Sequence, residues 1–495
     1  MSNALIIGAG LGGLSTSIHL RLAGFDVTVL EQNSQAGGRA NRLTMNGFTF
    51  DAGPSLLNYP WVFEELFALA GRNLYDYLEL IEVEPGIRFY WPDGESLQLS
   101  SRFDLLRSEL ERFDPGVGPR LARWLDRAGR NYRLSFERLV ISNTDSPLKW
   151  LGALKLNELA GLGLEKPLYR QLSTTFHSRR ICQAMGSYAM YLGGSPFDLP
   201  GLFEILPFGE INYGLWLPRG GIYALVEAMV DLASDLGVEF RTNCRVEQVT
   251  QDGVRAAGVL LADGERLAAE ATVSNCDLPY TDVNLLPEGL AKSTGVRRAG
   301  RLAMTPGVMT FYWGLNREIQ GLGHHSIFLP DNYRQSFNDL MTGSGISSNP
   351  PFYTSVASAS DPQLAPAGKS TLFVLVPTPV LSRLDRTDFL AESERLKQLV
   401  FSRLRGHGCN ISAGDIEVER VLTPRDWRNS FSLYDGSAFG AAHSLFMLGP
   451  WRPANRNPHL PGMFYVGAST TPGTGMPLVT LGGRMTAERV VEYVR

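Results

Sequence analysis

Cysteine is scarce and scattered in this sequence. The chain has 495 residues and four cysteines (Cys182, Cys244, Cys276 and Cys409), with no C-x-x-C pair among them. That spacing excludes a disulfide framework or a cysteine-held cluster and points to a reducing compartment. Positive charge is not in excess either. Lys and Arg number 46 against 50 Asp and Glu, a net charge of -4. With no basic stripe, helix-turn-helix pattern or zinc spacing, nucleic acid is not an expected partner. No apolar run reaches the ~18 to 20 residues that a spanning helix needs. Internal repeats and low-complexity tracts are absent too. No Ser/His/Asp set, carboxylate pair or nucleophilic cysteine stands out. His324-His325 is the one tempting metal pair. Neighbours on a strand point to opposite faces, so a structural role is expected there. Cys276 is expected in a buried strand, as a small hydrophobe.

What the chain does have is glycine in a telling place. "LIIGAGLGGLSTSIHL" spans residues 5 to 20. A secretory leader is the wrong reading, because the first Lys or Arg is Arg21 and glycines interrupt the apolar run. Ala4 to Ile7 reads as a buried strand, Leu14 to Leu22 as a helix ending at Gly24, and Phe25 to Glu31 as a second strand. Gly8, Gly10 and Gly13 have the spacing of a dinucleotide grip, within the expected ~30-residue strand–turn–helix–strand unit. Gly8 suits the tight turn, Gly10 the approach of a pyrophosphate, and Gly13 the packing of helix on strand. The helix N-terminus offers free N–H groups. Glu31 is placed to accept from a ribose diol.

The next stretch, Gln32 to Ser55, carries Gly37-Gly38-Arg39 and then "GFTFDAGPS". Arg39 suits a phosphate, and Asp51 reads as a backbone organiser. At the other end, Met463 to Val466 reads as a strand, Thr470 to Pro477 as a glycine- and proline-rich turn, and Leu478 to Val494 as a helix. That helix N-terminus would favour negative charge on a reduced flavin. Backbone N–H groups near Gly475 and Met476 are the candidates for touching the ring.

These residues resemble the FAD-dependent amine-oxidase-like flavoproteins and, within them, the bacterial phytoene desaturase group. "GGRA", "DAGPS", the stretch Leu217 to Val249, "ATVSNCDLP" and "MFYVGASTTPGTGMPLVTLGGRMTAERV" are similar to the superfamily's FAD blocks. "HHSIFLPDNY", "SASDPQLAPAGKSTLFVLVPTP" and "SAFGAAHSLFMLGPWRPANRN" resemble desaturase stretches. The wording departs from the commonest desaturase forms at "YLGGSPFDLP" and at Ser469-Thr470-Thr471, which bears on chain length and number of steps. The resemblance implies FAD contacts from Gly8, Ala9, Gly10, Leu11, Gly12, Gly13, Glu31, Gln32, Gly38, Arg39, Gly53, Pro54 and Ser55. It implies further contacts from Val246, Gly467, Gly475, Met476 and Val479.

Length favours two domains. The expected fold class is α/β: a Rossmann-like FAD-binding domain from residues 1-75, 215-285 and 455-495, and a mixed-sheet and helical substrate domain from 76-214 and 286-454. Pro115-Gly116 and Pro147 are expected to break the helical pattern of 76-214. Residues 139-172 are the candidate membrane-contact region, an amphipathic helix pair with Trp150 and interleaved Lys149, Lys155 and Lys166. Upstream, residues 102 to 138 hold nine arginines against six acids. Apolar faces with basic flanks also pack on cores, so both readings stand.

The resemblance implies a lipophilic isoprenoid substrate, quinone or oxygen as electron acceptor, and a cytoplasmic protein peripherally attached to the cytoplasmic membrane. The expected reaction needs a hydride acceptor beside an allylic C–H in a dry slot, with a proton leaving the neighbouring carbon. The flavin itself is the hydride acceptor, and no catalytic side chain is singled out. Phe176, Tyr191, Phe311, Tyr312 and Trp313 are candidate tunnel aromatics, and Arg179, Arg180 and Arg452 lie open to a role near the ring or the tunnel mouth. Rivals are a C30 precursor or coloured carotenoid as substrate, a polar-substrate oxidase of the amine or porphyrinogen type, and a non-catalytic lipid-binding flavoprotein.

Overall fold

A computed structural model describes residues 2–495. Its organising element is a five-stranded parallel sheet in the order Met463–Tyr465, Ala271–Ser274, Asn3–Ile7, Asp26–Leu30, Glu239–Arg241. Parallel strands covered on both faces are largely apolar, as Ala4 to Ile7 are, and Ala271 to Ser274 are buried as well, with the small polar Thr272 and Ser274 among them. Three separated stretches of chain thus meet in one sheet. Helix Leu11–Leu22 follows the first strand and starts three residues before the periodicity suggests, because Gly12 and Gly13 belong to its first turn. Helix Met476–Val494 lies across it. At the crossing Gly483 sits where any Cβ would strike Ser15, whose hydroxyl donates to the Thr480 carbonyl at 2.7 Å.

A second, mixed sheet has seven strands in the order Ile416–Leu422, Gly307–Leu315, Ser370–Thr378, Phe352–Ser355, His325–Phe328, Ile87–Tyr90, Ser96–Gln98. Gly307–Leu315 is buried at all nine positions. Phe311 and Trp313 share one face of it and pack under helix Phe389–Arg405, with Trp313 5.1 Å from Phe401. Tyr312 points the other way, against Phe50 and Phe373, and its hydroxyl donates to the Ala52 carbonyl. Neither face of this strand at these residues is a tunnel wall. Phe176 is also core, meeting Trp124 edge-on at 5.7 Å.

His324 and His325 depart from the strand geometry expected of them. The strand begins at His325, so His324 is not yet in the alternation, and the two rings lie 4.1 Å apart on the same side. Their Nδ1 atoms pair with Ser360 and Tyr353 at 2.7 and 2.6 Å. Burial lowers both pKa values, His324 to about 3, so both are neutral. No three-residue metal cluster occurs among the described residues.

The stretch from 103 to 213 is helical. Pro115-Gly116 separates Phe103–Glu111 from Gly118–Leu134. The helical pattern is also interrupted before Pro147, over residues 141–146, and Pro147 opens the next helix, Pro147–Gly152, since its missing N–H is not needed at the first position. Residues 139–172 form three short helices, not a pair: Pro147–Gly152, Leu156–Gly161 and Leu168–Ser173. The first two gather on Trp150, which is buried with Leu139, Leu154, Leu162 and Leu202. Arg180 pairs with Asp93 and Glu95 over the Trp91 ring, and Arg179 opens the same helix.

Candidate functional site

Ligands in open parallel sheets bind beyond the carboxyl ends of the strands. Here the first strand ends at Ile7, the second at Leu30, the 271–274 strand at Ser274, and the last at Tyr465. Beyond these ends opens a cavity of about 410 Å³. Gly8 turns the chain at φ +96°. A Cβ on Gly10 would lie 2.7 Å from Asn275 Oδ1, and one on Gly12 2.8 Å from Asn275 Nδ2. Gly13 is closed off by the Gly8 carbonyl. Asn275 in turn donates to the Val466 carbonyl at 3.0 Å, tying the first turn to the last. The Gly37-Gly38 pair lies over this turn, the Gly37 N–H donating to the Ala9 carbonyl at 2.8 Å.

Glu31 is buried and lines the cavity, with one oxygen accepting from the Ala9 N–H at 2.8 Å and the other from Asn33 at 2.9 and 3.0 Å. Arg39 also lines it. Its Nη1 donates to the Ala438 carbonyl at 2.6 Å, and it makes no ion pair among the described residues. Enclosure lowers its pKa, against the pull of Asp277. Asp277 is itself raised by burial, opposed by Ser469, by Arg39 and by the Tyr434 N–H at 3.1 Å. Helices Leu11–Leu22 and Met476–Val494 both lack a side-chain N-cap, so their first N–H groups face the cavity. Gly475, at φ +106°, Met476 and Val479 stand at the second of these ends.

Gly8, Gly10, Leu11, Gly12, Glu31, Gln32, Gly38, Arg39, Gly53, Pro54, Ser55, Val246, Gly467, Gly475, Met476 and Val479 all line one space, and Tyr191 joins them. Ala9 and Gly13 stand behind the wall, holding Glu31 and the turn. Phe176, Phe311 and Trp313 are outside it, for the packing reasons given above. Arg452 is buried near the site but spends its guanidinium on the carbonyls of Ala441, Ala442, Met447, Ala468 and Thr470. Asp51 accepts from the Ile222 and Tyr223 N–H groups at the start of helix Tyr223–Asp235, and burial raises it to about 7. Cys276 lies beyond the strand end and lines the cavity, its thiol pushed up to about 12 by burial.

Sequence reading missed Asn275, Asp277, Tyr59, Tyr353 and Trp427, all of which line the space. The first two had a signal, since they directly follow a buried strand. Tyr59 holds a φ of +54°, a backbone conformation that a tyrosine keeps only when its surroundings impose it.

An unpaired enclosed guanidinium, a carboxylate at the second strand end and two uncapped helix N-termini suit a dinucleotide with a negatively charged middle and a ribose at one end. The rest of the cavity wall is largely apolar, with Leu206, Ile327, Leu340, Phe352, Leu375 and Pro377 on it.

Known proteins share this plan. Residues 11–491 match the family described as flavin containing amine oxidoreductase. The chain is 36% identical over 490 residues to a zeta-carotene-forming phytoene desaturase of Myxococcus xanthus, covering 99% of this chain and 94% of that protein. It is 33% identical over 492 residues to an all-trans-zeta-carotene desaturase of the same organism, covering 98% and 92%. A putrescine oxidase structure with bound putrescine superposes with a TM-score of 0.64 at 14% identity, covering 99% of each chain.

Proposed function

Because the chain belongs to the flavin-containing amine oxidoreductase family and is an FAD-dependent oxidoreductase, we propose that it dehydrogenates a long isoprenoid hydrocarbon, phytoene or a related carotenoid precursor, in carotenoid biosynthesis. The observation that carries this reading is the continuity of one cavity from the glycine turns to an apolar wall. A polyene gives an acid or base nothing to hold, and this wall offers little that would hold a polar amine.

The bound flavin supplies a two-electron acceptor. The protein's part is to grip, orient and keep water out. Gly8 to Gly12 and the 11–22 helix end would hold the pyrophosphate with Arg39, Glu31 the ribose, and Gly475 to Val479 the ring edge. Leu206 on the cavity wall adjoins Ile205, which packs on both the main core and the Trp150 cluster. The substrate's route runs from that side.

The same side meets a membrane. No helix among the described residues is long and apolar enough to cross one. Yet Leu148, Leu156 and Phe446 are 84%, 88% and 79% exposed, beside Trp451, whose ring is 5.7 Å from Trp150. Lys149 and Lys155 flank them, as interfacial elements require. The reading therefore places the protein on the cytoplasmic face, with quinone or oxygen taking the electrons onward.

Expression in a bacterium accumulating phytoene tests it. A fine-structured visible absorption band in the extracted pigment is expected, its position counting the new double bonds. Unchanged colourless phytoene, with flavin-loaded protein present, overturns phytoene as the substrate.

A further inference from the structure

Removing two hydrogens from a hydrocarbon leaves a proton to be disposed of. The flavin takes the electron pair, and the cavity's obvious carboxylates are committed elsewhere, Glu31 to Ala9 and Asn33, Asp277 to Ser469 and Tyr434. One carboxyl behind the wall is not. Glu210, on helix Ile205–Tyr213, is 4% exposed and has no Lys, Arg or His within ion-pair distance among the described residues. Its two oxygens accept from Tyr188 at 2.5 Å and from Tyr191 at 3.4 Å, and Tyr191 lines the cavity.

On its far side Glu210 borders a second void of about 10 Å³, room for one water, shared with Gly86, Ser100, Ser101 and Glu84. Ser101 Oγ donates to Glu84 at 2.9 Å, and both residues are partly exposed. A hydroxyl in the cavity, a buried carboxyl, a water-sized gap and a surface carboxylate thus stand in line. An unpaired buried carboxyl costs several kcal/mol of solvation, and a purely structural part is served as well by an amide.

Resting on the desaturase reading, we propose that Tyr191 and Glu210 form the proton exit of the reaction. A bound flavin would serve as acceptor for the hydride of one allylic C–H bond. The adjacent C–H bond then gives its proton to the Tyr191 oxygen and its electron pair to the new C=C. Tyr191 passes its own proton to the Glu210 carboxylate, which releases it through the void to Glu84 and solvent. Tyr191 is the catalytic residue of the pair, and Glu210 acts through it.

Burial pushes the Glu210 carboxyl up to about 8, opposed by the hydrogen bonds from Tyr188 and Tyr191. The groups facing it are those two, Tyr59 and Tyr353, all held neutral by burial, and Glu84 across the void. The carboxylate that can accept a proton therefore becomes the major form only as pH rises through about 8.

The test uses purified holoenzyme mixed anaerobically with phytoene in vesicles, following flavin bleaching against pH, alongside difference infrared spectroscopy of the carboxyl stretch. Wild type should bleach faster as pH rises through about 8. Glu210→Gln and Tyr191→Phe should keep their flavin and lose that inflection, with rates about 100-fold lower, the scale of a lost general base. The infrared band of a protonated carboxyl should vanish over the same pH range in wild type and be absent from Glu210→Gln. If Glu210→Gln fails to fold, Tyr191→Phe carries the kinetic test. Wild-type rate and inflection in either folded variant, or a carboxyl already ionised at pH 6, overturn the relay alone. A wild-type flavin that stays oxidised overturns the desaturase reading, and the relay falls with it.

Discussion

Asn275 sets how much room the first glycine turn has, since its amide touches the positions of Gly10 and Gly12 from the end of the neighbouring strand. Gly10→Glu should therefore yield folded protein without flavin, read from the visible absorbance of the purified chain. Gly24, where an added Cβ meets nothing within 4 Å, is the contrast, with strain at φ +90° but no steric block to the cofactor. The glycine spacing was legible in the sequence; the amide that makes glycine necessary was marked only by its place after a buried strand, and its contact with the turn was not legible, because it arrives from another stretch of chain. Buried histidines give a second residue-scale prediction. His324 and His325 are neutral when folded, with pKa values below the ordinary 6.5. Below pH 6.5 the unfolded chain binds protons that the native one refuses, so stability falls as pH drops from 6.5 towards 3, by about 1.4 kcal/mol per unit for each histidine. His324→Asn should remove one proton's worth of that slope in denaturant titrations at pH 7 and pH 5.5.

At the scale of elements, the 139–172 stretch shows what periodicity can and cannot say. Its leucines and tryptophan mark an apolar face, and the structure turns that face both ways. Trp150 goes inward with Leu139 and Leu154, while Leu148 and Leu156 go out. Six-residue helices are too short for their pattern to show which side is which. Trp150 also presses on Gly449, whose position leaves no room for a Cβ. Trp150→Ala should cost about 3 to 5 kcal/mol and free the 445–451 loop, seen as new protease cleavage there before global unfolding. Strand Gly307–Leu315 is the converse case. Its existence was plain from nine apolar or small residues in a row. Which face meets a ligand was not, because a strand covered on both sides carries no alternation. Phe311 and Trp313 are misplaced in the sequence reading for that reason. Arg452 pins two loops beside the site through five carbonyls. Arg452→Met should lower stability by about 3 kcal/mol or more, since buried carbonyls lose their donors, measurable as a lower denaturant midpoint.

On the scale of the whole molecule, Leu148, Leu156 and Phe446 are among the most exposed large apolar side chains. A net charge of -4 gives no general attraction to an anionic surface, so the proposed membrane contact rests on the local patch at Leu148, Leu156 and Phe446. Leu148→Ser with Phe446→Ser should leave flavin content and Tm unchanged and abolish co-sedimentation with anionic liposomes at low salt. Retained binding would place the contact elsewhere. Three strands that bracket the cofactor cavity come from the beginning, middle and end of the chain, and the first and last helices interlock at Ser15 and Gly483. A growing polypeptide emerging from the ribosome holds half a cradle for nearly its whole synthesis. Colour can come to this protein only after residues 463–494 have left the ribosome, and until then the Ala271–Ser274 strand waits without its outer neighbour.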